Sequence, residues 1–170
     1  NELPPYRRPI FNSLGRHKAL DVTIYLSTRA EGHRMWSPVE ELPHVEVKTV
    51  PGFAIRSQQP QRERVIYIPI GVLPVLLRKR PDAVISGEFG FRTMMAWAYC
   101  ALFRKPLIIW QGETEHSAAS IGNLQRRARQ FFARRAAGFL AYGQAARRYL
   151  RSLGVDDRKI SVLAQSVDND

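Results

Sequence analysis

A glutamate stands three residues beyond an apolar run: PLIIW at 106–110 is followed by Gln111, Gly112 and Glu113. A carboxylate in that place can orient a hydroxyl group or accept its proton. Gly112 permits close approach to the backbone. The plainer role for Glu113 is a solvated loop acid or a charge at a helix start. His116 lies three residues further on, and imidazole is the other side chain suited to moving a proton near neutrality; the alternative is an ordinary surface histidine. Glu88 sits in GEFG (87–90), a glycine-bracketed turn, where it can hydrogen-bond hydroxyl groups or serve as an acid favoured by a helix dipole. Arg7 follows Pro4-Pro5-Tyr6 and can hold a phosphate, or with Arg8 is a surface charge. Arg34 and Trp36 can form a stacking platform, although Trp36 can equally pack beneath its own loop.

Basic residues dominate the rest. The chain carries 26 Lys+Arg against 15 Asp+Glu, a net charge of +11, which attracts polyanions of any kind: nucleic acid, anionic lipid or diphosphates. Arginine outnumbers lysine, which favours forked contacts to phosphate. Arg78, Lys79 and Arg80 end one helical stretch, and Arg126, Arg127, Arg129, Arg134 and Arg135 cluster on another. On the second, helix geometry sends Arg126, Arg127, Arg129 and Arg134 outward and Phe131 and Phe132 inward. A solvated helix face is the common reason for such a pattern. Together with LLRKR, these charges also fit an anionic leaflet, with Arg78, Lys79, Arg80, Arg126 and Arg127 as membrane contacts.

Other classes of function find no support. Cys100 is the one cysteine, so no internal disulfide forms and a reducing, cytoplasmic setting is the simpler expectation. The four histidines are scattered, and no Cys/His cluster has metal-ligand spacing; no metal is expected. No apolar stretch reaches the roughly 18 residues of a membrane span, and the N-terminus lacks the marks of a signal peptide. With 45% hydrophobic and 24% charged residues the chain is globular rather than disordered.

The elements that must position these residues alternate between strand and helix, the pattern of a Rossmann-like three-layer α/β/α fold with a mostly parallel central sheet. Helices are expected over 6–14 (ended by Gly15), 71–80, 91–104, 124–137 and 144–153 (closed by Gly154 in the left-handed conformation). Pro74 falls in the first turn of the second of these, where a missing N–H is tolerated. Strands are expected over 21–27, 45–50, 82–86, 106–110, 138–142 and 159–165. Residues 28–44 read as a loop, 53–64 as an irregular excursion and 64–70 as a short extended piece. Helix 91–104 is apolar nearly all round and is expected to be sandwiched inside the domain. On helix 124–137, Leu124, Ala128, Phe131 and Phe132 form the inward face. A doubly wound domain usually begins with its central strand, whereas this chain opens on a turn and helix, so a missing first strand is expected. Ligands of such sheets bind beyond the C-terminal strand ends, where the loop after DVTIYLS, the GEFG turn, QGETEH and Tyr142-Gly143 all fall.

Several stretches taken in order resemble the N-terminal domain of glycosyltransferase family 4 enzymes, which have the two-domain GT-B fold. They are LPPYRRPIFNSL, RMW, RPDAVISGEFG, RKPLIIWQGE and, most specifically, AAGFLAYGQAARRYLRSLGV with KISVLAQSVD. The resemblance implies that residues 1–165 form the acceptor-side domain, that 166–170 begin an interdomain linker, and that the nucleotide-sugar donor is bound mainly by a C-terminal domain outside this chain. It implies a sugar transfer in glycan or polysaccharide biosynthesis, of hexosyltransferase type, to a saccharide or lipid-linked acceptor, retaining anomeric configuration, with no metal or other cofactor. This fragment alone is then inactive. Its partners are its own C-terminal domain, the acceptor and the inner membrane face. Glu113 and His116 become the catalytic candidates, and Arg7, Arg34, Trp36 and Glu88 the substrate-binding ones. The family often places a histidine directly after this central strand, where Trp110 and Gln111 stand here. The rival expectation is a non-catalytic basic α/β module that binds nucleic acid or another polyanion; no nucleic-acid motif supports it.

Overall fold

The alternation of apolar strand runs and helical periodicity is realised in a computed structural model of the chain. It describes residues 7–26, 42–59, 62–119 and 121–163, the side chains of 54–59 and 62–67 excepted. Among the described residues are five helices and eight strands. They fall into two compact units, divided after Val75.

In the first unit, α1 (Arg8–Arg16) carries a proline in its first turn, where no N–H is missed. The helix continues through Gly15, expected to be its end, and stops at the extended His17. Glycine is used there for proximity: a Cβ would stand 2.7 Å from Val45 Cγ2 and 2.8 Å from His44 Cβ. β1 (Thr23–Leu26) and β2 (Glu46–Thr49) pair in parallel, from Thr23 opposite Glu46 to Leu26 opposite Thr49. Leu42 and Val45 are buried with Phe11, Ile24 and Val47 around them. The stretch 53–64, expected to be irregular, holds β3 (Phe53–Gln59) and the start of β4 (Arg62–Ile68), whose later part is the extended piece expected over 64–70. The two pair as an antiparallel hairpin from Phe53 opposite Ile68 to Gln59 opposite Arg62. Its polar composition hides a structure made by backbone pairing across strands, which satisfies N–H and C=O groups whatever the side chains. α2 (Val72–Lys79) follows, with Pro74 in its first turn, and the division between the units lies within it.

The second unit repeats one arrangement. β5 (Val84–Gly87), α3 (Phe91–Phe103), β6 (Leu107–Gln111), α4 (Asn123–Arg135), β7 (Gly138–Ala141), α5 (Gln144–Ser152) and β8 (Ile160–Val162) form a parallel sheet in the order β5-β6-β7-β8. Right-handed connections between neighbouring parallel strands place all three helices on one face. Ser86, Ile109, Phe139 and Ile160 stand in register across the four strands and are all buried. Thr93 of α3 meets Ser86, Oγ1 to Oγ 2.7 Å, which identifies this as the helix-covered face. Gly154 has φ of 88° and ends α5 in the left-handed conformation, as its position predicts. A short 3-10 turn, Asp157–Lys159, leads into β8 and is tied to α5 by Arg147, whose Nε donates to Asp157 Oδ1 at 2.8 Å.

Two helix faces differ from expectation. α3 is not sandwiched: Thr93, Ala96, Tyr99 and Cys100 are buried, while Phe91, Met94 and Leu102 are 46%, 47% and 71% exposed. A helix on one side of a single sheet offers that sheet only one face, whatever its composition. On α4 the buried residues are Arg129, Phe132 and Ala133, followed by Ala136, while Leu124 is 81% exposed and Ala128 is exposed. Arg129 therefore faces inward rather than outward. It shares a stripe with Ala133 and Ala136, at i+4 and i+7.

Candidate functional site

The C-terminal ends of β5, β6 and β7 lie side by side, with Gly87 opposite Trp110 and Gln111 opposite Ala141. β6 runs one residue past the apolar segment and takes in Gln111, which is fully buried. Its side chain organises the loop that follows: Oε1 accepts the Glu113 backbone N–H at 2.7 Å. Between them the ring of Tyr142 covers Gly112 so closely that a Cβ there would lie 2.8 Å from Cε2. Tyr142 in turn meets Trp110 edge-on, centroids 5.8 Å apart.

Glu113 does not float in this loop. Its Oε1 accepts from Arg129 Nη2 at 2.8 Å, and Oε2 pairs with Nη1 at 2.5 Å. Arg129 Nη1 also donates to Tyr149 Oη at 2.6 Å. The Glu113 side chain is one-third exposed and that of Arg129 only 9%, so the acid reaches outward from a buried base. The guanidinium lies 5.6 Å from the centroid of the Phe89 ring and meets Tyr149 at its hydroxyl edge, 5.8 Å from that ring's centroid. A carboxylate held this way is an acceptor of fixed orientation, on a side chain that is one-third exposed.

The other candidates are placed less tightly. His116 is exposed on the turn after Glu113, which is closed by Thr114 and Ser117: Thr114 N–H donates to Ser117 Oγ at 2.8 Å and Ser117 N–H to Thr114 Oγ1 at 3.2 Å. Glu88 is exposed at the end of β5 with φ of 66°, a left-handed conformation rare for a residue with a side chain. Its carbonyl accepts from Thr93 Oγ1, which in turn is hydrogen-bonded to Ser86. It is not a helix acid: α3 is capped by Gly90 and its first turn holds no acidic residue. Its charge acts instead on Arg92, whose pKa is lowered by burial and raised again by Glu88. Arg7 stands at the N-cap of α1 in the first unit, half-buried. Arg34 and Trp36 lie outside the described residues. Arg78, Lys79, Arg80, Arg126 and Arg127 are all exposed, and Arg80 lies over the Phe103 ring at 5.9 Å. Among the described residues no group of three His, Cys, Asp or Glu side chains could hold a metal ion, and no helix is long and apolar enough to cross a membrane.

The second unit thus brings Glu88, Glu113 and His116 to one edge of its sheet. Arg129 and Tyr149, which sequence-based reasoning passed over, hold Glu113 there. A signal existed for Arg129: at i−3 and i−4 from Phe132 and Ala133 it lies on their face. Tyr149 carried none.

The model for Glycosyltransferase Family 4 matches residues 13–170. The chain belongs to that family. Solved structures share its Rossmann-like α/β fold. Anabaena Alr3699/HepE in complex with UDP and glucose matches with a TM-score of 0.66 and 13% identity, over 99% of this family 4 chain and 44% of that one. The same Anabaena protein in complex with UDP-glucose matches with a TM-score of 0.62 and 16% identity, over 99% and 42%. At such identities the likeness is one of fold. The family 4 chain spans less than half of the length of these structures. No curated protein sequence matches it.

Proposed function

We propose that this chain is the acceptor-side part of a glycosyltransferase that moves a sugar from a nucleotide-sugar donor to a saccharide or lipid-linked acceptor in glycan biosynthesis. Glu113 is the group that receives the acceptor hydroxyl. Family membership supports the reaction class, and the carboxylate held at the C-terminal edge of a parallel sheet is the observation that carries the site. The Anabaena structures contain UDP, or UDP-glucose, which supports a nucleotide diphosphate sugar as donor. In the transfer, the acceptor oxygen bonds to the anomeric carbon as the bond to the diphosphate breaks, and Glu113 can hold that hydroxyl and take up its proton. Glu88 and His116 complete the polar rim, and Arg7 is proposed to hold a phosphate.

Exposed Arg78, Lys79 and Arg80 beside Leu77, and Arg126 and Arg127 beside Leu124, support peripheral contact with an anionic membrane. The rival role, a nucleic-acid module, gains nothing. Aromatic rings that would have to stack on bases pack on one another instead, as in Trp97 against Phe131 and Tyr99 against Phe103.

The test uses the complete two-domain enzyme, a membrane lipid extract as acceptor source and UDP-glucose first in a panel of nucleotide-sugar donors. Glu113→Ala should lower the rate of nucleotide release by about two to four orders of magnitude while the protein stays folded. Wild-type turnover by that variant removes Glu113 from the mechanism.

A further inference from the structure

We propose that Arg129 is the positioning residue of this site: one buried guanidinium sets the orientation of the Glu113 carboxylate and ties it to the turn after β5 and to α5. The inference rests on the reading of Glu113 as the group that receives the acceptor hydroxyl, and goes beyond it by saying what aims that group.

Arg129 is 7% exposed on a helix stripe otherwise made of Phe132, Ala133 and Ala136. A buried ion pair is a poor source of stability, because desolvating both charges offsets their attraction and apolar residues of similar volume often do as well. An arginine kept in such a place calls for a reason in what it holds. Its partners come from three separate segments that each follow a strand. Glu113 follows β6, Phe89 follows β5 and lies under the guanidinium at 5.6 Å, and Tyr149 lies on α5 after β7. Each contact fixes a different freedom of the group. The Phe89 ring packs against the group, Tyr149 Oη engages Nη1, and the fork towards Glu113 then has one direction.

Lysine at 129 keeps the charge but not the fork: one ammonium cannot hold both carboxylate oxygens in a plane while also meeting Tyr149. A misplacement of about 1 Å at a reacting group costs on the order of a hundredfold in rate. Arg129→Lys should therefore lower kcat by about tenfold to a hundredfold and leave the KM for donor within about threefold, the pattern of an interaction needed only in the transition state.

The experiment is a double-mutant cycle in the complete enzyme, with nucleotide release from UDP-glucose, or from whichever donor of the panel the wild type turns over, as the readout. Four proteins are compared: wild type, Arg129→Lys, Glu113→Gln and the double variant, each checked for folding by its thermal midpoint. If Arg129 acts through Glu113, Arg129→Lys costs less than about threefold once Glu113 is already glutamine. Should Arg129→Lys fail to fold, Tyr149→Phe, which removes only the hydroxyl that engages Nη1, reads the same coupling in the same two backgrounds. Loss in the wild-type background that vanishes beside Glu113→Gln supports the proposal. Unchanged kcat in Arg129→Lys, or equal losses in both backgrounds, overturns it while leaving Glu113 in place. A harmless Glu113→Gln overturns the functional reading itself, and this inference with it.

Discussion

Adding one methyl group at Gly112 should unsettle both the fold and the site. The Cβ of Gly112→Ala would stand 2.8 Å from Tyr142 Cε2, 3.0 Å from Cγ and closer still to Cδ2, and contacts below 3.0 Å essentially never occur. These are ring atoms near the root of the side chain, so the half-buried ring must swing as a whole. Swinging forfeits its edge-on contact with Trp110, worth about 0.5–1.5 kcal/mol beyond buried area. Residual overpacking adds about 1–3 kcal/mol. Alanine recovers about 0.4–1 kcal/mol by restricting the unfolded chain. The net loss is about 2 kcal/mol, or a thermal midpoint lower by about 4–8 °C for a chain of this size. Circular dichroism melts of wild type, Gly112→Ala, Tyr142→Ala and the double variant measure it. The loss should shrink sharply in the Tyr142→Ala background. A Gly112→Ala midpoint within a degree of wild type, or the same drop with Tyr142 removed, refutes the reasoning.

Two further outcomes follow from the titrating groups. Asp156 is held at a pKa of about 2, below the ordinary 3.8, by hydrogen bonds from the Arg158 side chain and backbone. Asp157 is lowered in the same direction, chiefly by its hydrogen bond from Arg147. Both are depressed in the folded state, so their contribution is fully present above the unfolded value and is lost as pH falls below it, for Asp156 between about 4 and about 2. Melts across that window should show a falling midpoint, and Asp157→Asn should flatten the fall; an unchanged slope would count against the pairing. Burial pushes the Cys100 thiol up to about 11, so at pH 7 a maleimide should label it only after denaturation. Rapid labelling of the native chain would contradict its placement on the buried face of α3.

Much of the element order was legible because burial on a sheet imposes it. Each of β5 to β8 is a short run with apolar residues, and between them lie a continuous apolar helical stretch (α3), a helix with an arginine-rich face (α4) and one closed by Gly154 (α5). Of the hairpin of β3 and β4, the extended piece in β4 was legible; β3 and the pairing were not, because the pairing spans the turn and FAIRSQQ carries no apolar alternation. The same distinction runs through the site. Glu113 could be picked out locally, from a strand followed by glycine. Its tie to Arg129 spans sixteen residues and depends on the rotation of α4 about its axis. The sequence-based phase of that helix was set by Leu124 and Phe131, and the small shift that makes Ala133 and Ala136 the inner stripe carries Arg129 from solvent to core. Gln111 was read as loop because polar residues seldom end a buried strand, yet its amide oxygen is what receives Glu113.

The sequential strand order of the second unit has a kinetic meaning. Every pairing there joins segments separated by only about twenty to thirty residues, with no later strand inserted between earlier ones. The entropy of closing such loops grows only slowly with their length, so each step carries a similar, bounded cost. This half of the chain can therefore assemble strand by strand in the order in which a ribosome delivers it. The three segments gathered by Arg129 come into reach only with the last of those steps. The site is completed when α5 docks, so its geometry reports that the sheet beneath it has closed.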